Sequence, residues 1–269
     1  MASSSKIGFI GGGAMAEAII AGLRKSDVIP AEAIYVSDHK AARTEELCKC
    51  YGIHACVGAD TFLDDVTVLV LAVKPQAAQK ALAEVSGRLR GDALVLSIVA
   101  GLTLREMERA FSGHPIVRIM PNTPLAVGAG MSVYSCGTHV TSPCREIVEQ
   151  IFSSAGRVVE IKESAMDAVT GLSGSGPAFA FLMIDALASG GIAAGLPAKT
   201  ARLLAAQTIF GAAKMVLETE THPEVLRDAV TSPAGTTIAG VHVMEQRGVR
   251  GALMDAVLAA SARSEELGK

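Results

Sequence analysis

The segment spanning residues 6–16, KIGFIGGGAMA, restricts most strongly what this chain can fold into. A β-rich run leads directly into the pattern G-x-G-x-x-A, formed by Gly11, Gly13 and Ala16, and an amphipathic run over residues 14–25 follows. A strand that turns through glycines into a helix is typical of the dinucleotide-binding unit of doubly wound α/β folds. Gly11 permits the tight turn, Gly13 lets a pyrophosphate approach the backbone, and Ala16 keeps the helix close to the strand.

The beginning of the helix after this turn supplies groups that bind phosphate. Free amides at Ala14 and Met15, together with the helix dipole, predict a site for the pyrophosphate of a dinucleotide. The alternative is an ordinary strand-to-helix turn. The strand and helix patterns on both sides of the glycines favour the dinucleotide.

Strand and helix patterns alternate through the first part of the chain. The predicted strands cover residues 6–11, 33–37, 67–73, 93–99 and 116–120, with weaker candidates at 131–135 and 158–161. The predicted helices cover residues 14–25, 40–51, 76–88, 104–111 and 143–153. This alternation predicts a parallel sheet with right-handed crossovers. The runs TVLVLAV and ALVLSIV are almost continuously apolar, which is typical of interior strands covered on both faces.

Beyond residue 163 the pattern changes to Ala-, Leu- and Met-rich helices without a convincing strand. We therefore predict an α/β domain of Rossmann type in residues 1–163, followed by an all-α domain in residues 164–269. An apolar helical domain of this size is expected to expose an apolar face that a second copy covers, which predicts a homo-oligomer. The alternative is a helical layer that packs on its own first domain alone. Residues 178–187 are too short a run to cross a bilayer and predict a buried helix.

Composition argues against several classes of protein. The net charge is only −3 and no polybasic run occurs, so we expect no nucleic-acid partner. The chain begins without the features of a secretory signal and has an odd number of cysteines, five, which predicts reduced thiols in a cytoplasmic protein without a membrane partner. Cys48 and Cys50 lie on a predicted helix and face different ways there, so we expect no metal site.

The end of the second predicted strand bears on the choice of coenzyme. Asp38 stands where an acidic residue binds a ribose 2′-hydroxyl and favours NAD. Ser37, His39, Lys40 and Arg43 could equally surround a 2′-phosphate and favour NADP. For Lys40 or Arg43 alone, a solvated helix face is the alternative. The residues themselves leave both coenzymes open.

The loops after the next strands complete the predicted cofactor site, because ligands of doubly wound sheets bind at the carboxyl ends of the strands. Its members there are Val73, Lys74 and Pro75 in the first loop, Ile98 and Ala100 in the second, and Asn122 in the third. Lys74 could face a phosphate or ribose, or remain a surface lysine. Asn122 could bind the ligand or tie down its own turn.

Several segments together resemble one family. They are IGFIGGGAMAEAIIAGL, AVKPQ, RIMPNTP, AVTGLSGSGPAF at 168–179 and, most specifically, DAVTSPAGTTIAGVHVMEQ at 228–246. With them, nearly the whole chain resembles the pyrroline-5-carboxylate reductases. The resemblance implies a Rossmann domain followed by a helical dimerisation domain, with dimers that assemble further, commonly into decamers. It also implies reduction of the cyclic imine L-1-pyrroline-5-carboxylate to L-proline by NADPH, with NADH possible, as the last step of proline biosynthesis.

The resemblance also implies the residues that handle the substrate. Residues 232–237, SPAGTT, read as a loop that opens a helix, where the amides of Gly235, Thr236 and Thr237 would bind a carboxylate without Arg or Lys. Taken alone, the segment could be a Ser or Thr helix cap beside a Pro-Gly turn. By resemblance Thr237 orients the imine nitrogen and relays a proton, and Ser232 is the second catalytic residue. Glu163 matches a position near the substrate, or is a solvated acid.

Departures and rival functions qualify this assignment. Ala59 and Ala229 stand where relatives have Asn near the cofactor, which weakens the case for NADP. A β-hydroxyacid dehydrogenase would need a lysine on the long helix of the second domain, and residues 176–187 contain none. An imine reductase for another substrate has the same architecture. A non-catalytic dinucleotide sensor would have no need of the SPAGTT segment.

Overall fold

The computed structural model describes residues 5–59 and 61–268, which form two compact units. One unit runs to Gly174 and includes the segment from Ala260 onward, and the other spans Ser175–Ala259. The strand patterns in the sequence end before residue 163, whereas the first unit continues to Gly174. The boundary between residues 163 and 164 stays a prediction.

The first unit is built on one sheet of eight strands. They are β1 Ile7–Ile10, β2 Ile34–Ser37, β3 His54–Cys56, β4 Val68–Leu71, β5 Leu94–Ser97, β6 Ile116–Met120, β7 Gly130–Cys136 and β8 Gly156–Glu160. Their order across the sheet is β3-β2-β1-β4-β5-β6-β7-β8, and every neighbouring pair is parallel except β6 and β7. The chain leaves β1 towards β2 on one side and reaches β4 on the other, so a crevice opens at their carboxyl ends.

Helices cover both faces of this sheet. They are α1 Ala14–Ser26, α2 Ala41–Tyr51, α3 Ala78–Val85, α4 Leu104–Ala110, α5 Ser142–Ser153 and α6 Met166–Val169. Val68 and Val70 of β4 are buried with residues of α1, α2 and α5, whereas Leu69 and Leu71 are buried with residues of α3 and α4. Successive residues of a strand point to opposite faces, so an unbroken apolar strand needs cover on both. The predicted α/β architecture is confirmed.

The described residues of the second unit form helices. They are α7 Gly176–Ala193, α8 Ala198–Thr219, α9 Pro223–Ala229, α10 Thr236–Gln246 and the first part of α11 Val249–Leu267. Helices α7 and α8 pack closely through Ala188, Ala201 and Ala205, whose small side chains let the two backbones approach. The predicted change from α/β to all-α is confirmed.

The prediction of a buried helix at residues 178–187 is wrong for the single chain. Ala188 is the one buried residue of α7, while Phe181, Leu182 and Leu187 are exposed. An apolar run requires cover but does not say which chain supplies it. By length and composition alone the helical stretch Glu163–Ala193 could cross a membrane, a criterion that core helices of soluble proteins also meet.

Candidate active site

Gly11 makes the turn between β1 and α1 with a backbone that other residues rarely adopt. Its φ is +101°, and a Cβ there would lie 2.6 Å from the carbonyl oxygen of Ala72, just beyond β4. The Gly11 amide donates to the Ser37 carbonyl at 2.8 Å, and the Ala72 amide donates to the Ile10 carbonyl at 2.8 Å. The turn is therefore fastened to the strands on either side of β1.

Gly13 is the N-cap of α1 and leaves space above the helix start. A Cβ at Gly13 would meet no atom within 4 Å, and no side chain caps the helix. The first helical bond runs from the Glu17 amide to the Gly13 carbonyl at 3.0 Å, so Ala14 and Met15 precede it. A helix start without a side-chain cap and with open space beside its N-cap suits a pyrophosphate, and these residues fit the cofactor predicted for them.

Asp38 is bonded to the glycine turn. Its Oδ2 accepts from the Gly12 amide at 2.9 Å, and its Oδ1 accepts from the Lys40 amide at 3.0 Å. His39 is exposed, and its Nδ1 lies 3.2 Å from Asp38 Oδ1. Ser37 is buried at the end of β2. His39 and Lys40 are therefore the accessible residues of this predicted group.

Arg43 does not lie on a solvated helix face, so that alternative is wrong. Its Nε donates to the Gly12 carbonyl at 2.7 Å, Nη2 to Glu17 at 2.5 Å and Nη1 to Glu46 at 2.7 Å, and its side chain is 19% exposed. The hydrogen bond from Arg43 lowers the pKa of the Glu17 carboxyl, and the same bond raises the pKa of Arg43. The guanidinium is committed to protein groups.

The next predicted cofactor residues lie in loops at the carboxyl edge of the parallel strands. Lys74 is exposed and precedes a short 3₁₀ turn, Pro75–Ala77, with Val73 just before it after β4. Ile98 follows β5 and donates its amide to the Leu71 carbonyl at 3.0 Å, and Ala100 is exposed. Because β1, β4 and β5 are neighbours, these loops lie along one edge with the glycine turn.

Asn122 uses both ends of its amide within the protein. Its Nδ2 donates to the Ser173 carbonyl at 3.1 Å, and its Oδ1 accepts from the Met131 amide at 2.8 Å. The structure therefore gives Asn122 the tying role that the sequence left as an alternative, and its contact with the cofactor stays a prediction.

Glu163 is not a solvated acid, so that alternative is wrong. Its Oε1 accepts from the Leu104 amide at 2.7 Å and from Arg118 Nη1 at 3.0 Å, and Arg118 is largely buried on β6. The contact fastens the start of α4 to the end of the α/β unit. Sequence reasoning missed Arg118, because one arginine in an apolar strand carries no pattern that identifies its partner.

The SPAGTT segment in the second unit opens α10 as expected. Gly235 is the N-cap without a side-chain cap, and no acidic residue occupies the first turn of the helix. Ala234 has a left-handed backbone with φ of 55°, and a Cβ at Gly235 would collide with Ser232 Oγ. The alternative of a Ser or Thr cap is therefore wrong.

One predicted donor of that segment is already used. The Gly235 amide donates to the Ser232 carbonyl at 3.1 Å and closes the turn, and its role as a substrate donor stays a prediction. The amides of Thr236 and Thr237 lie at the positive end of α10, where an anion is stabilised. Two neighbouring amides at one helix start can bind one carboxylate.

Among the residues that the structure describes, no three His, Cys, Asp or Glu side chains gather as metal ligands do.

Comparisons with known proteins agree along the whole chain. The family model "Pyrroline-5-carboxylate reductase dimerisation" matches residues 163–267, and "NADP oxidoreductase coenzyme F420-dependent" matches residues 6–101. The pyrroline-5-carboxylate reductase of Synechocystis sp. is 47% identical over 266 residues, covering 99% of each chain. The solved structure of a pyrroline-5-carboxylate reductase from Coxiella burnetii superposes with a TM-score of 0.93 at 35% identity, covering 99% of this chain and 100% of that one. The crystal structure of the Plasmodium falciparum pyrroline carboxylate reductase with NADP bound superposes with a TM-score of 0.88 at 32% identity, covering 98% of this chain and 98% of that one.

Proposed function

This chain belongs to the pyrroline-5-carboxylate reductase family, and on that premise we propose how its own residues divide the work. The enzyme reduces L-1-pyrroline-5-carboxylate to L-proline by hydride transfer from NAD(P)H, the last step of proline biosynthesis. Identity of 47% across 99% of a reductase of that name carries this conclusion. It also decides against the hydroxyacid dehydrogenases and the non-catalytic sensor.

The glycine turn and the neighbouring loops hold the cofactor in this proposal. The nicotinamide supplies the hydride. The amides of Gly13, Ala14 and Met15 bind the pyrophosphate, for which the uncapped start of α1 leaves room. Five residues of the loops after β4 and β5 lie along the nicotinamide half: Val73, Lys74, Pro75, Ile98 and Ala100. Asn122 keeps the third loop in place through its two described bonds.

NADPH is the coenzyme we propose, with NADH as the poorer donor. His39 and Lys40 are exposed past the end of β2 and can meet a 2′-phosphate. Asp38, which would favour NADH, has its carboxylate engaged by two backbone amides. A relative crystallised with NADP supports the same choice. Ala59 stands where relatives have Asn near the cofactor, and its methyl group, packed on the core, offers the coenzyme no polar contact.

The substrate is bound through its carboxylate at the start of α10. The amides of Gly235, Thr236 and Thr237 bind the carboxylate in this proposal, and Ser232 stands beside it. The Thr237 hydroxyl hydrogen-bonds the ring nitrogen and relays a proton as hydride reaches the imine carbon and the C=N electron pair moves to nitrogen. Glu163 is proposed near the substrate by resemblance alone, because its described bonds go to Leu104 and Arg118.

A steady-state assay with both coenzymes tests the reaction and the coenzyme together. We expect oxidation of either coenzyme by pyrroline-5-carboxylate, with a KM for NADPH about tenfold below that for NADH, since a charge-assisted phosphate contact contributes that much. Loss of the coenzyme's absorbance at 340 nm is followed, and proline is measured as the product. No turnover with either coenzyme would contradict the reaction, and equal KM values would contradict the NADPH preference.

The enzyme is a homo-oligomer, and we propose a dimer formed by residues 164–269 that assembles further, with a decamer as the expected particle. The exposed apolar side chains of α7 and α8 support this, among them Leu182, Leu187 and Leu203. The dimerisation family model covers the same region. All five cysteines are free thiols, which supports the proposed cytoplasmic location.

Substitution on α7 tests the dimer surface. Leu182 is 71% exposed in the single chain. We expect Leu182→Arg to raise the dissociation constant of the dimer by about a hundredfold or more, because a buried unpaired charge is costly. Analytical ultracentrifugation measures this. Val127→Arg, at a site 79% exposed in the first unit, is the matched control and should still sediment as a dimer or larger. Dimers that survive Leu182→Arg unchanged would contradict this surface.

A further inference from the structure

Side chains from beyond β2 hold Gly12 at its amide and at its carbonyl, which belong to two successive peptide groups. The Gly12 amide donates to Asp38 Oδ2 at 2.9 Å, and the Gly12 carbonyl accepts from Arg43 Nε at 2.7 Å. Gly12 is buried, and it precedes Gly13, the N-cap of α1. One residue of the glycine turn is therefore oriented by an acid and a base that lie 26 and 31 residues further along the chain.

Arg43 is itself held in place by two carboxylates. Glu17 of α1 and Glu46 of α2 accept from its two Nη atoms, at 2.5 Å and 2.7 Å. Tyr51 donates to the other oxygen of Glu17 at 3.0 Å, and burial raises the pKa of this phenol. The two carboxylates offset the charge of the guanidinium. A 2′-phosphate would therefore gain little from Arg43, although the residue lies in the segment that follows β2.

We propose that Arg43 is a positioning residue for the cofactor, which orients the peptide between Gly12 and Gly13 and does not bind the 2′-phosphate. A trans peptide is planar, so its carbonyl and its amide point in opposite directions. Holding the Gly12 carbonyl on Arg43 therefore aims the Gly13 amide away from α2. A charged donor on the carbonyl also polarises the peptide and strengthens that amide as a donor.

The inference rests on the proposed function, in which the Gly13 amide binds the pyrophosphate. It goes further by separating orientation of the turn from recognition of the 2′-phosphate. Both NADPH and NADH carry a pyrophosphate, and only NADPH carries the 2′-phosphate. Loss of orientation must therefore weaken both coenzymes by the same factor, whereas loss of a phosphate ligand must weaken NADPH alone.

The test measures KM for both coenzymes, and kcat, in Arg43→Ala and Arg43→Lys of the full-length enzyme. We expect KM to rise about tenfold or more for NADPH and for NADH alike in Arg43→Ala, since a charge-assisted hydrogen bond is lost. The saturated kcat should change by less than about twofold. Arg43→Lys keeps the charge beside Glu17 but lacks the fixed Nε donor, and should show the same parallel rise. If Arg43→Ala does not fold, the KM values of Arg43→Lys for the two coenzymes provide the test.

Three companion variants separate the possible explanations. Lys40→Ala should raise KM for NADPH alone. Lys49 is exposed on α2, the helix that carries Arg43, and Lys49→Ala should change neither KM. Gly13→Val should raise KM for both coenzymes, and if it does not, the proposed pyrophosphate site fails. If Gly13→Val behaves as expected but the Arg43 variants bind both coenzymes normally, or weaken NADPH alone, then the positioning role fails and the pyrophosphate site stands.

Discussion

Gly11→Ala is expected to lower the melting temperature by about 6–12 °C, or to abolish soluble expression. The φ of +101° is unfavourable for alanine, and the added Cβ would lie 2.6 Å from the Ala72 oxygen and 2.9 Å from its carbonyl carbon. Ala72 cannot withdraw easily, since its amide is bonded to Ile10 at 2.8 Å. Strain and overlap together cost about 3 kcal/mol, and each kcal/mol corresponds to about 2–4 °C in a chain of this size. Thermal unfolding followed by circular dichroism measures the change.

Gly13→Val is the matched control for this prediction. Gly13 has φ of −68°, which valine adopts readily, and no atom lies within 4 Å of a Cβ there. We expect the melting temperature to stay within about 3 °C, since replacing a glycine N-cap costs under about 1 kcal/mol. Equal destabilisation by the two substitutions would contradict the assignment of Gly11 to folding and Gly13 to the ligand.

The glycine turn shows how far the sequence could predict the cofactor site. Spacing alone placed Gly11, Gly13 and the start of α1, because a strand, a turn and a helix are local features. Spacing could not show that Asp38 and Arg43 hold Gly12, since both contacts join residues far apart in the chain. Their residue types suggested contacts with the ribose or the phosphate of the coenzyme. Only the folded structure shows that the Asp38 carboxylate and the Arg43 guanidinium bond to the backbone of Gly12.

Edge and interface elements were the least predictable parts of the fold. Strand β3 was missed, because His54–Cys56 is three residues long, pairs with β2 alone and has too few positions to show an alternation. The burial of α7 was predicted wrongly, because the cover of an apolar helix can come from a second copy of the chain. In the SPAGTT segment the helix start was predicted, but the use of the Gly235 amide in the turn depends on the left-handed backbone of Ala234.

Thr237→Ala is expected to lower kcat with pyrroline-5-carboxylate by about a hundredfold, while KM for NADPH changes by less than about twofold. Thr237 is the second residue of α10, and its hydroxyl has no hydrogen-bond partner among the described residues. A hydroxyl that stabilises nothing in the chain itself is available to the ring nitrogen of the substrate. Steady-state kinetics at saturating coenzyme measure the loss.

The thermal stability of the same variant separates chemistry from structure. Alanine has a higher helix propensity than threonine, and no described hydrogen bond is removed, so the melting temperature of Thr237→Ala should be unchanged or slightly raised. Thr237→Ser restores a hydroxyl at the same position and should recover kcat to within about tenfold of the original enzyme. A melting temperature that falls together with kcat, or a serine variant as slow as the alanine one, would mean that Thr237 supports the helix and that another group delivers the proton.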